Sequence, residues 1–308
     1  MKEETSPHIF PPGLIGLLAG LTLGWGLTWS MIKLVLSEMQ PMHFRTLCLL
    51  FGALILMAIA RLKGLPLRVP KGQWTRIVAI GLVNITCWNI LTVYGIRLMA
   101  SGRAAILGYT MPAWSVFLSA WLLNEPFTKR RAVGLVLGLA GMGLLMGSDL
   151  YAVGRSPLGT VLMVGAALSW AFGTVMMKRW PVDLPVTVFT GWQLVIGVIP
   201  ILVAALAWES GTFNPFTLSW GPMFGVFYAI FISFVFCYWA WTKIVIIAPV
   251  GVSSLAVMMI PVVGVFSGML ILGERLHWQD FVALITVVGS LATVMLPSRK
   301  VKPSRTTS

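Results

Sequence analysis

The sequence is poor in charged residues, and acidic residues are the rarest of them. Of 308 residues only 10% are charged, with 9 Asp and Glu against 22 Lys and Arg, whereas 58% are hydrophobic. A water-soluble domain carries about 25% charged residues, so this composition excludes a chain whose surface mostly faces water. The net charge of +13 does not indicate a nucleic-acid partner, because the basic residues lie between apolar stretches, as in membrane proteins.

Histidine and cysteine are also scarce, with three of each. Cys48, Cys87 and Cys237 lie inside apolar stretches without metal-ligand spacing, which favours a packing role. All acidic residues and histidines fall in loops or at the ends of apolar stretches. The sequence therefore predicts no enzyme activity, no metal site, no cofactor and no carboxylate-based proton relay in the middle of the membrane.

Ten apolar stretches are long enough to cross a bilayer as helices, which requires about 20 residues each. We number them as spans 1 to 10; they cover residues 14–36, 42–60, 74–96, 102–123, 131–149, 157–178, 186–208, 218–242, 250–273 and 279–296. The first is too long for the apolar core of a signal peptide. The predicted fold class is an all-α membrane protein with ten transmembrane helices, followed by a basic, disordered cytoplasmic tail over 297–308.

The basic residues predict the orientation in the membrane, because Lys and Arg concentrate in cytoplasmic loops. With the N-terminus inside, sixteen basic residues lie on the cytoplasmic side and five lie outside, and Lys33 sits near the outer end of span 1. The five outer residues are Arg45, Arg97, Arg103, Arg155 and Arg275. Both termini are therefore predicted to be cytoplasmic, which agrees with an even number of spans.

The chain also contains an internal repeat. Trp25 and Lys33 in span 1 match Trp170 and Lys178 in span 6, eight residues apart in both pairs. The predicted repeat units are residues 14–149 and 157–296, with five spans each. Because five is odd, the second unit enters the membrane from the opposite side, and such inverted repeats are typical of secondary transporters.

A second block of the repeat joins spans 4 and 9. Pro112 and Glu125 match Pro261 and Glu274, thirteen residues apart in both pairs. These duplicated motifs, together with Trp25-Gly26, resemble the drug/metabolite transporter superfamily of EamA type. The second unit departs from the Trp-Gly pattern at Ala171.

This resemblance covers nearly the whole chain and implies a multi-pass transporter of the bacterial inner membrane that exports amino acids or related metabolites by alternating access. The chain is similar to YddG-type aromatic amino-acid exporters, although no motif fixes that substrate. An exporter of drugs or sugars from the same superfamily is the alternative. A membrane-embedded enzyme lacks its catalytic cluster here, and a sensor or scaffold lacks a soluble signalling domain.

Aromatic and neutral polar side chains inside the spans are the candidate substrate-binding residues. Aromatic rings hold apolar groups or stack on cations, and amides bind ammonium and carboxylate groups, so the expected solute is small and amphipathic or zwitterionic. The candidates are Trp25, Trp29, Asn84, Trp88, Tyr109, Trp170, Gln193 and Tyr228. For the tryptophans the alternative is plain packing, and for the two amides it is a hydrogen bond between helices.

The repeat also predicts the gating residues. Pro112 and Pro261 are expected to bend long helices near their middle, or to form static kinks. Glu125 and Glu274 are predicted as latches that pair with nearby bases, Lys129 or Arg130 in the case of Glu125; a solvated helix end is the alternative. Lys33 and Lys178 either form gate contacts or extend to the lipid headgroups.

Small residues recur at intervals of four, as in Gly16, Gly20 and Gly24 of span 1. This spacing lets two helices approach closely. It serves either packing within the chain or a contact between two copies in a homodimer, and the sequence leaves both open. The lipid bilayer is the other expected partner.

Overall fold

The structure, a computed structural model, describes residues 12–98, 107–108, 110–146, 157–250, 253, 257–272, 278, 281–282, 285–286 and 288–289. These residues form helices and connecting loops, with no strand among them. The α-helices are α1 (Pro12–Val35), α2 (Pro41–Leu62), α3 (Trp74–Ile80), α4 (Trp88–Leu98), α5 (Met111–Leu122), α6 (Lys129–Met146), α7 (Pro157–Arg179), α8 (Val186–Trp208), α9 (Trp220–Tyr228), α10 (Tyr238–Ile247) and α11 (Ile260–Leu272).

Within this part of the chain, six helical segments are long and apolar enough to cross a membrane. They correspond to predicted spans 1, 2, 3, 6, 7 and 8, and the shorter apolar helices Met111–Leu122 and Val257–Ile271 fall in spans 4 and 9. An all-helical, multi-pass membrane protein is therefore confirmed. The count of ten spans and the orientation of the termini stay predictions, and most of span 10 (279–296) lies outside the described residues.

Two of the long segments change their helical winding at the centre. The segment that begins at Trp74 contains a π-helix, π1, over Gly81–Cys87 between α3 and α4. The segment that begins at Trp220 contains π2 over Ala229–Cys237 between α9 and α10. In a π-helix the backbone hydrogen bonds skip one more residue than in an α-helix, and such segments frequently mark functional sites. The sequence pattern predicts neither, because spans 3 and 8 have the composition of continuous apolar helices.

The helices pack so that elements from the two predicted repeat units contact each other. The helix α2 runs along α8, α4 and π1 pack on α7, and α1 packs on α9, π2 and α11. Apolar side chains fill these contacts, among them Leu49 and Leu194, which are fully buried. The two units thus share one core.

A carboxylate from one segment fixes the first turn of α2. Glu209, directly after α8, accepts hydrogen bonds from the backbone N–H groups of Met42 (2.9 Å) and His43 (3.1 Å), and its Oε2 lies 3.1 Å from the His43 ring Nδ1. The first N–H groups of a helix have no partner within the helix, and a negative charge there is favourable. Glu209 therefore joins the start of α2 to the end of α8.

Glu38 performs a similar task at the start of α9. It accepts hydrogen bonds from the backbone N–H (2.8 Å) and the hydroxyl (2.5 Å) of Ser219, the residue before α9. These two hydrogen bonds lower the pKa of Glu38, and the bond from the Ser219 hydroxyl has the larger effect. Its contribution to stability is therefore present above the ordinary carboxyl pKa and is lost as the pH falls through the lowered value.

We expect the variant E38Q to unfold at a slightly lower temperature than the wild type at neutral pH. The difference should shrink as the pH falls to about 3, because the wild-type carboxyl then takes up its proton. Thermal unfolding in detergent, recorded for both proteins over this pH range, checks the prediction. The variant S219A should show a smaller loss, since one of the two bonds remains. A difference that does not change with pH would contradict it.

Candidate functional site

Five large aromatic side chains meet at the centre of the helices, and we call them the aromatic cluster: Trp25, Trp88, Trp170, Tyr238 and Trp241. The ring centroids of Trp170 lie 5.8 Å from Trp25, 5.2 Å from Trp88 and 6.0 Å from both Tyr238 and Trp241. Such spacings are those of favourable tilted and edge-to-face ring pairs. Trp170 is only 4% exposed, whereas Trp25 and Trp88 are half-buried. The cluster brings together α1, α4, α7 and α10.

The two π-helices position two of the five cluster residues. Trp88 is the first residue after π1, and Tyr238 is the first residue after π2. The wider winding shifts the rotational phase of the helix that follows, so each π-helix sets the direction in which the next aromatic side chain points. Phe234, inside π2, stacks on Tyr238 with ring centroids 5.1 Å apart.

Each π-helix also sends a polar side chain to the first helix of the other unit. Asn84 in π1 donates from Nδ2 to the carbonyl oxygen of Trp170 in α7 at 3.1 Å. Ser233 in π2 shares a hydrogen bond with the hydroxyl of Thr28 in α1 at 2.5 Å. Positions 84 and 233 are 149 residues apart, which is the offset of the second repeat block. Asn84 thus makes a bond between helices that holds the backbone of a cluster residue.

The contact of Asn84 with α7 requires glycine at position 173. A Cβ added to Gly173 would lie 2.5 Å from Asn84 Cβ and 2.9 Å from its Cα, so the backbone would have to move. We expect G173A to be destabilised by about 1–3 kcal/mol through overpacking. The unfolding temperature of the purified protein checks this.

The variant G165A is the matched control for that prediction, because it lies in the same helix. A Cβ added there meets Leu91 Cδ1 at an ordinary 3.6 Å. It should keep or raise the unfolding temperature, since alanine favours helices. Equal unfolding temperatures of G173A and G165A would mean that the contact between Asn84 and α7 does not require glycine at position 173.

The remaining predicted substrate-binding residues lie apart from the cluster or outside the description. Gln193 in α8 is 2% exposed, and its Nε2 has no hydrogen-bond partner among the described residues. Tyr228 donates from its hydroxyl to the carbonyl oxygen of Gly24 at 3.0 Å, which places it between α9 and α1. The side chain of Trp29 and the whole of Tyr109 fall outside the described residues.

A polar contact joins the two units at one end of the helices. Glu125, just after α5, accepts from Arg131 Nη1 at 3.1 Å and from the backbone N–H of Val250 at 2.8 Å. Both charged side chains are 11% exposed. Lys178, near the end of α7, donates to the carbonyl oxygen of Ala248 at 2.5 Å. We call these residues the latch, because Glu125 and Lys178 together hold the loop after α10.

The latch adds one partner to those that the sequence analysis named for Glu125, and it leaves the other gating residues open. The ion pair that the structure describes for Glu125 is with Arg131, a base that the sequence analysis had not named. Lys33, the repeat mate of Lys178, has an exposed side chain two residues before the end of α1. Glu274, the mate of Glu125, lies outside the described residues.

The described residues place Pro112 and Pro261 in the first turns of helices, and the predicted bend at each proline stays a prediction. Pro112 is the second residue of α5, directly after a turn at Thr110. Pro261 is the second residue of α11, directly after the 3₁₀ turn Val257–Met259. Proline suits the first turn of a helix, because the N–H that it lacks has no partner there. The two prolines therefore begin helices after paired interruptions of spans 4 and 9.

The glycines of span 1 serve packing within the chain. A Cβ on Gly24 would lie 2.5 Å from Cys237 Sγ, and one on Gly20 would lie 3.0 Å from the Phe236 ring. This close approach brings α1 onto π2. Gly16 has no neighbour within 4 Å, so it takes no part in that contact.

Sequence reasoning missed several of these residues. Tyr238 and Trp241 stand three residues apart on one helix face, a spacing that the sequence does show, but the position of that face depends on π2. The sequence analysis counted Arg131 only among the sixteen basic residues of the cytoplasmic side. Among the described residues no group of three potential metal ligands comes together.

Comparison with protein families gives two matches along the chain. The model of the EamA-like transporter family matches residues 12–147 and again residues 157–296. The first match runs from the start of span 1 into span 5, and the second covers spans 6 to 10.

Several relatives match over most of their length. Uncharacterized transporter YoaV of Bacillus subtilis is 28% identical over 85% of this chain and 89% of its own. Protein PecM of Dickeya dadantii is 27% identical over 91% and 93%. Uncharacterized inner membrane transporter YedA of Escherichia coli K12 is 29% identical over 92% and 90%. A solved crystal structure at 19% identity covers 89% of this chain and 94% of its own with a TM-score of 0.76, so it shares the fold.

Proposed function

The chain belongs to the EamA-like transporter family, and we propose that it is a secondary transporter that exports amino acids or amino-acid-derived metabolites across the bacterial inner membrane by alternating access. The observation that carries this proposal is the aromatic cluster, to which both predicted repeat units contribute. A site between two units is the arrangement that alternating access requires. The name of the relative YedA supports the inner membrane as the location.

The chemistry of the cluster supports an amphipathic solute. Four tryptophans and a tyrosine offer faces for an apolar moiety. Trp241 Nε1 in the cluster is buried without a hydrogen-bond partner among the described residues. A buried donor of this kind is costly unless a ligand or water satisfies it, so it can serve a polar moiety. An amino acid combines both kinds of group. Export is the direction that the resemblance to amino-acid exporters implies.

The latch supports the alternating mechanism. It lies on the side that the basic residues predict to be cytoplasmic, and it ties Glu125 and Arg131 of the first unit to the loop after α10 in the second. We propose that this contact closes the cytoplasmic gate, and that the repeat mates Lys33 and Glu274 act at the opposite side. The helix starts at Pro112 and Pro261 are the proposed hinges, because each follows a break in its span.

The proposal is tested by flux through the purified protein in liposomes. Counterflow of radiolabelled phenylalanine, leucine, lysine and glutamate should show saturable uptake for at least one of them and none in protein-free liposomes. A labelled sugar and a cationic dye serve as the alternative cargo classes. Uptake of the dye or the sugar without uptake of any amino acid would reject amino-acid transport and favour the alternative cargo.

A further inference from the structure

The loop between α2 and α3, residues 63–73, carries basic side chains on a fixed backbone. Gly64 has a positive φ of 66°, which ends α2 in a tight turn. Trp192 in α8 donates from its indole Nε1 to the carbonyl oxygen of Leu67 at 3.0 Å, and Val69 is buried in the apolar core. Because the middle of the loop is bonded to a helix and packed on the core, its backbone has a defined position.

The same loop is joined to the loop between α7 and α8, which belongs to the other predicted unit. Gln73 donates from Nε2 to Asp183 Oδ2 at 2.6 Å, and its Oε1 accepts from the Asp183 backbone N–H at 2.8 Å. Arg76, in the first turn of α3, donates from Nη1 to the carbonyl oxygen of Pro181 at 2.9 Å. The two loops therefore form one surface at the same end of the helices.

Cations dominate this surface. Residues 61–76 contain five basic residues and no acidic one, and Asp183 is the single acid of the loop between α7 and α8. Arg76 and Asp183 take part in the contacts between the loops. The other cations are exposed and have no ion pair among the described residues, and we call them the basic surface: Arg61, Lys63, Arg68, Lys71 and Arg179. Like charges held on a fixed backbone repel one another, so this surface favours a bound anion.

Large apolar side chains stand beside these cations. Leu62 is 87% exposed, and Trp74 and Trp180 are exposed as well. Leu62 ends α2, Trp74 begins α3 and Trp180 directly follows α7, so all three lie at the ends of membrane-spanning segments. Tryptophan is enriched at this level of a bilayer, where its ring lies among the lipid headgroups. A nucleic acid would leave these apolar groups in water, whereas a phospholipid covers them with its acyl chains.

We propose that the basic surface binds the phosphate groups of anionic phospholipids, with Trp74 and Trp180 against the lipid chains. Arginine and lysine bind phosphate through charge-assisted hydrogen bonds, and each basic residue beside an anionic membrane surface strengthens binding about fivefold. Because the surface joins loops of both predicted units, a bound lipid stabilises the contact between them. This interaction does not depend on which solute the protein transports.

Lipid titration of the purified full chain in detergent tests this interaction. Dioctanoyl phosphatidylglycerol and the zwitterionic dioctanoyl phosphatidylcholine, which have equal chains, are added while the unfolding temperature is recorded, and native mass spectrometry counts the bound lipids. The wild type should bind phosphatidylglycerol more tightly and gain the higher unfolding temperature from it. In R68Q/K71Q the affinity for phosphatidylglycerol should fall about 25-fold, which is about fivefold for each charge, and the affinity for phosphatidylcholine should stay the same.

Matched variants separate the basic surface from the general attraction between a basic protein and an anionic lipid. K71Q should weaken phosphatidylglycerol binding about fivefold, whereas K129Q, which removes an exposed cation outside this surface, should not. R68K/K71R keeps both charges and should keep most of the affinity.

Three results would overturn the proposal. The first is equal affinity of the wild type for the two lipids, and the second is an equal loss of affinity in K71Q and K129Q. The third is binding of glycerol phosphate or of an RNA oligonucleotide as tight as that of phosphatidylglycerol, because the partner would then be a soluble phosphate or a nucleic acid rather than a lipid. A loss of phosphatidylglycerol affinity in W180A would support the contact of the ring with the lipid chains.

Discussion

Replacing Glu125 by alanine is expected to open the latch. The change removes the acceptor of both Arg131 and the Val250 N–H and leaves a largely buried guanidinium group without its carboxylate. Breaking a buried pair from one side costs about 3–5 kcal/mol, and we expect roughly 2–4 kcal/mol here because both side chains keep some contact with solvent. This shifts the balance of closed and open states by about 30-fold to 1000-fold.

Chemical labelling of a cysteine at position 248 measures this shift. Ala248 is buried under Lys178 in the closed latch, so A248C should react slowly with a membrane-impermeant maleimide. In the E125A background it should react much faster. I247C, at an exposed position, should react equally in both backgrounds, and K129Q controls for loss of a nearby charge. Equal protection of position 248 with and without Glu125 would show that the latch does not hold this loop.

The second large effect is expected for W170A. Trp170 contacts Trp25, Trp88, Tyr238 and Trp241, so its removal leaves a cavity at the junction of four helices. Replacing a buried Trp by Ala costs about 3–5 kcal/mol. We expect a lower unfolding temperature and loss of counterflow.

W121A is the matched control for W170A, since Trp121 is 75% exposed and should change stability by less than about 0.5 kcal/mol. W170F tests whether a smaller ring restores part of the unfolding temperature and part of the counterflow that W170A loses. Normal counterflow in a stable W170A protein would show that the aromatic cluster is not part of the transport site.

The sequence was sufficient for the helical class and for part of the site. Long apolar stretches can be assigned as helices without knowledge of the tertiary structure, because in lipid their backbone groups must form hydrogen bonds within the helix. Trp25 and Trp170 were identified as repeat mates, and the structure places their rings 5.8 Å apart. Lys178 and Glu125 were identified in the same way, and they hold neighbouring residues of one loop.

Other features depend on winding and long-range contacts that a linear pattern does not record. The π-helices rotate Trp88 and Tyr238, and the sequences of spans 3 and 8 do not predict this change in helical winding. Pro112 and Pro261 were expected near the middle of long helices, but their position in the first turn of a helix followed only from the fold.

The distance between the two sides of the latch tests the alternating-access account most directly. Spin labels at V133C in α6 and I247C at the end of α10 occupy exposed positions near the latch, in a background where the three native cysteines are replaced. Double electron–electron resonance should give one short distance for the unliganded protein. A second, longer distance should appear with E125A and with a transported amino acid. A distribution that stays the same under all three conditions would contradict the account.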